Sequence, residues 1–366
     1  MKYYIIAGEA SGDLHASNLI KEIRKLDGQS SFRGWGGDLM QKQGADIVKH
    51  YRDLSFMGFA EVLMNLRTIV RNFSSCKNDI ISFKPDVLIL VDYPGFNLRI
   101  ARFACNRGIR VFYYISPQLW AWNVSRVKQI KKNVEKMFVI LPFEKEFYSK
   151  FGVKVDFVGH PLLDALVDAE TNITTENIIA ILPGSRKQEI RKMLPVMLSV
   201  IPLFQDYSFV IAGMSSVGKE FYEKYTAGYN TGIVFDNTYA LLKKSTAAMV
   251  TSGTATLETA ILDVPQLVCY KANPFSYLLA KRLARVNFIA LPNIIAGCEV
   301  VKELIQNHLN TMELSIELRK LLSIENISTI KKSYCRIKSA LGIKGSSERT
   351  ASLMIGYLRK NNNNQV

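Results

Sequence analysis

Two short glycine-bearing segments of this chain combine residue types that bind phosphate. The segment L-P-G-S-R at residues 182–186 follows an apolar run at 178–181, and S-G-T-A-T-L-E at 252–258 follows another at 247–250. Each pattern is typical of a buried parallel strand, a glycine turn and the polar start of a helix. A helix start points free backbone N–H groups and the positive end of its dipole outward, which favours an anion.

The side chains in these two segments extend the predicted site to a nucleotide diphosphate. Arg186 supplies a fork-shaped cation, and Glu258 lies one turn into its helix, where a carboxylate can accept the two hydroxyls of a ribose. No Walker lysine pattern accompanies them, which excludes a P-loop ATPase. The candidate ligands from the two turns are Gly184, Ser185, Arg186, Ser252, Gly253, Thr254, Thr256 and Glu258.

A third chemical candidate is Asp92, in the segment V-D-Y-P-G-F-N at 91–97. It follows an apolar run, at the strand end where open α/β sheets carry catalytic groups. A carboxylate there can deprotonate a substrate hydroxyl. The alternative role is to cap a helix that begins near Asn97, which Asn97 could do alone.

The segment A-G-E-A-S-G-D at 7–13 adds Glu9 and Ser11 as candidates. Its small residues let a ligand approach the backbone, and Ser11 or Asp13 is expected to cap the following helix. A plain strand-to-helix turn explains the pattern equally well. The absence of G-x-G-x-x-G disfavours a dehydrogenase.

His160, in G-H-P at 159–161, follows the last strand predicted in the first half and is expected near a cleft. A lone histidine is more often structural than a base. With four His in the chain and no cluster of Cys or carboxylates, the sequence predicts no metal site and no cofactor.

The segment 56–73 carries two apolar stripes at helical spacing, flanked by Arg67 and Arg71. One stripe, which includes Val70 and Phe73, suits a core. The second is either buried as well or docks on anionic lipid. Trp120 and Trp122 are either core aromatics or interface anchors. The candidate membrane or acyl-chain contacts are Met57, Met64, Ile69, Trp120 and Trp122.

The sequence around these segments predicts two α/β domains that would position them. Strand-like runs alternate with helical ones, which indicates parallel sheets. Six strands are predicted in the first half, near 3–7, 31–34, 87–91, 111–115, 137–141 and 155–158, and five in the second, near 178–182, 208–212, 232–235, 247–250 and 266–270. The simplest architecture is two Rossmann-like domains facing a cleft, 1–165 and 166–344, with the tail 345–366 packing on the first.

Composition restricts the partners. The chain has 366 residues, a net charge of +15 and five Cys without a C-x-x-C pair, which favours reduced cysteines in a cytoplasmic protein. Neither a signal peptide nor a membrane-spanning run is recognised. The basic residues are scattered and lack an RNA-binding signature, so nucleic acid is not an expected partner.

Taken in order, the motifs resemble those of the lipid-A-disaccharide synthase family. The strongest are S-P-Q-L-W-A-W at 116–122 and S-G-T-A-T-L-E at 252–258. Nearly the whole chain takes part, since E-A-S-G-D at 9–13, L-P-F-E at 141–144, G-H-P at 159–161, L-P-N at 291–293 and K-E-L-I-Q at 302–306 also fit. Gly95 departs from the pattern, because the family often has a second aspartate there.

The resemblance implies an inverting GT-B glycosyltransferase that needs no metal. Its donor would be UDP-2,3-diacylglucosamine, its acceptor 2,3-diacylglucosamine 1-phosphate, and its products the β-1,6-linked lipid A disaccharide and UDP. It adds Asn293 to the UDP ligands and assigns Asp92, Glu9, Ser11 and His160 to catalysis. It also implies a peripheral protein at the inner leaflet of the inner membrane, with a homodimer left open.

Two alternatives stay open from the residues alone. One is another UDP-sugar enzyme of the same fold, such as a UDP-N-acetylglucosamine 2-epimerase or a peptidoglycan glycosyltransferase. The other is a basic protein that binds RNA or membranes without catalysis. The paired phosphate turns disfavour the second.

Overall fold

The chain folds into two compact units. The computed structural model describes residues 1–54, 66–166, 175–273, 277–278, 282 and 286–362. Unit 1 comprises Met1–Asp164 and Gly342–Val366, and unit 2 comprises Ala165–Leu341. The chain therefore leaves unit 1, builds unit 2 in one continuous stretch, and returns to finish unit 1.

Unit 1, in its described part, is built on a seven-stranded parallel sheet with the order β3-β2-β1-β4-β5-β6-β7. Its strands are β1 (Lys2–Ala7), β2 (Ser31–Gly36), β3 (Asp46–His50), β4 (Val87–Val91), β5 (Arg110–Tyr114), β6 (Lys136–Val139) and β7 (Asp156–Phe157). Its helices are α1 (Ala10–Leu26), α2 (Asp38–Lys42), α3 (Leu66–Phe83), α4 (Pro94–Cys105), α5 (Leu119–Trp122), α6 (Val127–Asn133), α7 (Glu144–Ser149) and α8 (Leu162–Leu166), joined by α16 (Ser346–Asn362) from the returning chain.

Unit 2 has a six-stranded parallel sheet among its described residues, in the order β10-β9-β8-β11-β12-β13. Its strands are β8 (Glu176–Leu182), β9 (Ser208–Gly213), β10 (Thr231–Phe235), β11 (Ser245–Thr251), β12 (Gln266–Tyr270) and β13 (Glu303–Ile305). Its helices are α9 (Lys187–Leu198), α10 (Lys219–Thr226), α11 (Thr238–Lys244), α12 (Thr254–Ile261), α13 (Leu291–Ala296), α14 (Thr311–Leu321) and α15 (Ile324–Ala340).

In each sheet the first strand lies in the middle, and successive strands are added first on one side of it and then on the other. In unit 1 the change of side falls between β1 and β4, where Ala7 pairs with Val91. In unit 2 it falls between β8 and β11, where Leu182 pairs with Val250. Open α/β sheets bind ligands beyond the carboxyl ends of strands at such a point. The segments that follow these four strands are among those in which the sequence predicts chemistry.

Continuous apolar runs form the central strands because helices cover both faces of each sheet. All five residues of β4 are fully buried. Tyr4 and Leu88 belong to the core layer that includes Ile100 of α4. Ile179 and Met249 join the corresponding layer of unit 2.

The predicted strands are all present, with ends shifted by one or two residues. Two short strands were not predicted, namely β3 and β13. Strand β3 lies at the sheet edge and is exposed or half-buried along its length, so its sequence lacks an apolar run. The helical spacing over 56–73 corresponds from Leu66 onward to α3, which runs to Phe83, while residues 55–65 lie outside the described part.

The returning helix α16 completes unit 1 by packing against α1. Its start is held by Asp164, whose carboxylate accepts the N–H groups of Gly345 at 2.7 Å and Ser347 at 3.3 Å. The Ser346 hydroxyl donates to the carbonyl of Gly159, and the Arg349 guanidinium donates to that of Val158. Four apolar side chains of α16 are buried: Ala351, Met354, Ile355 and Leu358.

Candidate active site

Glu9 and Asp92 lie side by side at the carboxyl edge of the unit 1 sheet. They follow β1 and β4, which are neighbours in parallel register. Glu9 is exposed and is the first residue before α1, whereas Asp92 is half-buried. The sequence predicted both residues as candidates, and the fold brings them together.

The backbone around Asp92 is strained. Asp92 and Tyr93 have φ angles of +44° and +48°, which L-residues rarely adopt. The Asp92 carbonyl is fixed in this turn by the Asn97 amide at 2.8 Å and the Tyr113 hydroxyl at 2.5 Å. The helix begins at Pro94, so the prediction that Asn97 caps a helix starting near itself is wrong.

Gly8 explains how Tyr93 fits into this turn. A Cβ at Gly8 would overlap the Tyr93 ring, so the ring can lie over the end of β1 only because residue 8 is glycine. Tyr93 also stacks near Phe96 of α4, with ring centroids 5.8 Å apart. Tyr93 was not predicted from the sequence, although its place between Asp92 and a proline at a helix start was a usable signal.

The environment shifts the pKa of Asp92 towards neutrality. Burial is the larger cause and the negative charge of Glu9 the second, and together they raise this pKa to about 7. Both effects disfavour the carboxylate form. A group with a pKa near the working pH can accept a proton and release it again, as a general base must.

Asp13 does not cap α1, contrary to the sequence prediction. The N-cap of α1 is Glu9, and no side chain there accepts a helix N–H group. Asp13 is buried, and its carboxylate instead accepts the N–H groups of Gly37, Leu39 and Met40 at the start of α2. Ser11 is exposed on the first turn of α1, at the same sheet edge as Glu9.

His160 is a buried neutral side chain in unit 1. Burial lowers its pKa to about 3, and the neighbouring His15 adds to the shift. Its Nδ1 accepts the N–H of Leu162 at 3.2 Å. Since this nitrogen is already used and protonation is disfavoured, His160 is better suited to holding the turn after β7 than to accepting a substrate proton.

Trp120 is held in the interior by Glu144. It is 7% exposed, its Nε1 donates to the Glu144 carboxylate at 3.3 Å, and its ring packs edge-on against Phe143. Glu144 also accepts the N–H groups of Ile140 and Leu141. Trp120 therefore does not act as a surface anchor, and the core alternative applies.

The other predicted membrane contacts are only partly described. Met57 and Met64 lie outside the described residues, as does the Trp122 side chain, although its backbone ends α5. Ile69 is half-buried on α3. Val70, predicted for a core stripe, is 66% exposed, so that prediction is wrong.

In unit 2, the turn before α9 already binds a carboxylate of the chain itself. The Ser185 N–H donates to Glu189 at 3.2 Å, and the half-exposed Arg186 pairs with Glu189 at 3.3 Å. Gly184 has φ of +108°, and a Cβ there would lie 2.7 Å from the Glu189 carboxylate. Glu189 was not predicted from the sequence, although a glutamate three residues after an N-cap can reach back to the start of its helix.

The second turn exposes part of the predicted set. Gly253 and Thr254 are exposed at the start of α12, and Ser252 is half-buried with its hydroxyl donating to the Ile289 carbonyl at 3.1 Å. Thr256 is fully buried, and its hydroxyl donates to the Gly253 carbonyl. Thr256 therefore shapes the turn instead of facing a ligand.

Glu258 lies one turn into α12, half-buried and hydrogen-bonded to Tyr239 of α11. Burial raises the pKa of Glu258, and the hydrogen bond from Tyr239 offsets part of that rise. The pair places a carboxylate acceptor beside a phenol at the carboxyl edge of the sheet.

Asn293 is a structural residue in this fold. It is fully buried, and its amide nitrogen donates to the Val301 carbonyl and to Glu303. Its amide oxygen accepts the N–H groups of Val300 and Val301. With both polar atoms of its side chain engaged, Asn293 links α13 to β13 and the segment before it, and its role towards UDP stays a prediction.

Comparison with known proteins identifies the family. The family model for lipid-A-disaccharide synthetase matches residues 3–355. The chain belongs to the lipid-A-disaccharide synthase family. It is 37% identical to the lipid-A-disaccharide synthase of Geobacter metallireducens over 97% of both chains. It is also 37% identical to that of Nitrosococcus oceani, over 98% of this chain and 96% of the relative.

Solved structures agree with the fold. A UDP-GlcNAc 2-epimerase from Neisseria meningitidis, bound to UDP-GlcNAc, matches with a TM-score of 0.68 at 16% identity, over 97% of this chain and 100% of its own. A glycotransferase of kitacinnamycin matches with a TM-score of 0.67 at 14% identity, over 98% and 99%. The predicted GT-B fold is confirmed, and at these identities the likeness concerns the fold alone.

Proposed function

We propose that this protein transfers 2,3-diacylglucosamine from UDP-2,3-diacylglucosamine to the 6-hydroxyl of 2,3-diacylglucosamine 1-phosphate. The products are the lipid A disaccharide 1-phosphate and UDP. The proposal extends the family membership, which covers nearly the whole chain, to a specific reaction of this chain.

The observation that carries the proposal is the carboxyl of Asp92 beside Glu9. In an inverting transfer the acceptor hydroxyl attacks while a base removes its proton, and Asp92 has a pKa raised to about 7 at a strand end suited to that task. Glu9 tunes this pKa and is the next candidate for the base. His160 acts by holding its turn, because burial lowers its pKa to about 3.

Unit 2 is proposed to hold the donor. Arg186 and the backbone N–H groups at the starts of α9 and α12 stabilise the charge that develops on the departing UDP. Glu258 accepts the ribose hydroxyls. Arg186 must leave its ion pair with Glu189 when it binds the diphosphate, because the carboxylate and the phosphate need the same cation.

We further propose that the protein works as a peripheral protein on the inner leaflet of the inner membrane, where lipid substrates reside. Among the described residues, no helix combines the length and apolar character needed to span a bilayer. Support comes from α3, where Arg67 and Arg71 are exposed beside the exposed Val70. Light scattering at working concentration tests whether a homodimer forms.

The decisive experiment is mass spectrometry of the product formed from the two purified monosaccharide precursors. A β-1,6-linked disaccharide 1-phosphate with equimolar UDP is expected. Supplying UDP-N-acetylglucosamine alone serves as the control, because an epimerase would convert it without an acceptor. Epimerisation without disaccharide would contradict the proposal.

A further inference from the structure

Unit 2 contains a cavity that the proposed roles leave unused. It has a volume of about 380 Å³ and lies at the carboxyl edge of the sheet. Lys192 on α9, the segment after β12 and the segment after β13 form its walls. The lining residues are Lys192, Lys271, Ala272, Asn273, Gln306 and Asn307.

The chemistry of this cavity suits an anion. Lys192 and Lys271 are exposed, and neither forms an ion pair or hydrogen bond with a described residue. By contrast, Lys302 and Lys320 of unit 2 pair with glutamates. The described lining contains no carboxylate. Two ammonium groups that share a cavity repel each other, and an anion between them converts that repulsion into attraction.

The walls of the cavity are fixed before any ligand arrives. The side-chain oxygen of Gln306 accepts the N–H of Ala272 at 2.7 Å, which ties the segment after β13 to the segment after β12. Gln306 has φ of +56°, a strained conformation that this bond helps to maintain. The backbone of these two segments is therefore held together without a ligand, which lowers the cost of binding.

The cavity adjoins the phosphate turn before α9 but uses different cations. Lys192 follows Glu189 by one helical turn, and the charge of Glu189 is felt by Tyr270, the residue before Lys271. Arg186 pairs with Glu189 at the helix start, whereas Lys192 and Lys271 remain for another group. Two phosphate-bearing substrates need two such places.

We propose that this cavity binds a phosphate monoester. Resting on the proposed function, that monoester is the 1-phosphate of the acceptor sugar. The two lysines supply the charge, and the side-chain amide nitrogens of Gln306 and Asn307 supply hydrogen-bond donors for phosphate oxygens. The cavity thus recognises which sugar carries a free phosphate and leaves the donor diphosphate to Arg186.

The test measures binding of glucosamine 1-phosphate by phosphorus NMR to the full chain and to Lys192→Gln, Lys271→Gln and the double variant. Because both lysines are exposed, each change is expected to weaken binding by about fivefold, and the double change by more than about tenfold. Binding of UDP is expected to stay within about twofold. Lys331→Gln, exposed on α15 and outside the cavity, is the matched control.

Two further outcomes would overturn the assignment and one would support it. A loss of UDP binding with unchanged glucosamine 1-phosphate binding would assign the cavity to the donor. Equal weakening of inorganic phosphate and glucosamine 1-phosphate supports a phosphate site, whereas a wild-type protein that binds neither removes it. Failure of the proposed function is separate, because it shows as absence of disaccharide from wild-type protein whatever the binding results.

Discussion

A carboxyl group acts as a base near neutral pH most effectively when its pKa is raised towards that pH. The sequence predicts Asp92 and Glu9 as separate candidates but not their proximity, because Glu9 is distant in the chain and approaches Asp92 only through the pairing of β1 with β4. The strained backbone at Asp92 and Tyr93 is equally invisible in a sequence. The sequence could therefore predict the residue, while its tuning depends on tertiary contacts.

Asp92→Asn keeps the shape of the side chain but removes the proton acceptor. Turnover is expected to fall by about 10²–10⁴-fold, measured as the rate of UDP release. UDP affinity, measured by calorimetry, should stay unchanged, because the proposed donor site is built from unit 2 residues. Asp206→Asn, an exposed aspartate of unit 2, is the control. Wild-type turnover in Asp92→Asn would assign the base to another residue.

Glu9→Gln tests the electrostatic coupling. Activity requires ionised Asp92, so it should rise with pH through the pKa of about 7. Removing the charge of Glu9 lowers that pKa, and the acid limb of the kcat/KM profile should move to lower pH by less than about one unit, because burial is the larger cause. A limb that moves to higher pH, or stays in place, would show that Glu9 does not act through Asp92.

Arg186→Ala removes the cation that pairs with Glu189 at the turn before α9. Loss of one preorganised charge at the leaving group is expected to lower turnover by about 10²-fold or more at saturating donor. Arg191→Ala, exposed on the same helix, controls for general charge loss. Unchanged turnover in Arg186→Ala would remove this residue from the site.

Asn293 and Thr256 show that a motif does not distinguish a residue that binds a ligand from one that supports the fold. Both lie in motifs typical of the family, and the polar side-chain atoms of both form hydrogen bonds within the protein. A motif indicates that a residue type is needed, but only burial and hydrogen bonding separate a ligand from a support. Glu144 illustrates the same point, since it fixes Trp120 and two backbone N–H groups.

Among the elements, α3 differs most from its sequence expectation. Phe73 packs into the core against Phe96 at 4.4 Å, as expected for a core stripe, but Val70 is largely exposed. Helical periodicity predicts which residues share a face, yet it cannot specify how much of that face the neighbouring elements cover. The exposed portion is what a lipid surface could contact.

The membrane proposal is tested on that portion of α3. Changing Val70 to Ser together with Arg67 and Arg71 to Gln should reduce co-sedimentation with anionic vesicles, since each cation near the surface contributes about 1 kcal/mol. The melting temperature should remain unchanged because these side chains are exposed. Ile324→Ser, at 87% exposure in unit 2, is the matched control. Undiminished sedimentation would contradict a role for this face.

At the scale of the whole molecule, unit 1 is discontinuous and unit 2 is not. Removing residues 342–366 takes away α16 and its buried side chains Met354, Ile355 and Leu358. Each buried apolar side chain contributes about 1.5–3 kcal/mol, against a typical domain stability of about 5–15 kcal/mol. Unit 1 is expected to unfold or melt far earlier in calorimetry, while the transition of unit 2 persists.

The isolated segment 165–341 provides the complementary measurement. Since unit 2 is continuous and has its own core, this segment should fold alone and retain UDP binding within about threefold. Truncation after residue 362 is the control for the removal of terminal residues. If removal of residues 342–366 abolished the melting transitions of both units together, the units would not fold separately.

The return of α16 to unit 1 also sets an order of events during synthesis. Chains generally fold as they emerge from the ribosome, with early domains completed first, but the face of α1 that α16 covers stays open until residues 346–362 have been translated. Unit 2, which lies between the two parts of unit 1 in the chain, can fold completely while unit 1 is still incomplete. The nascent protein thus carries an exposed apolar surface for most of its translation. Chaperones bind surfaces of this kind.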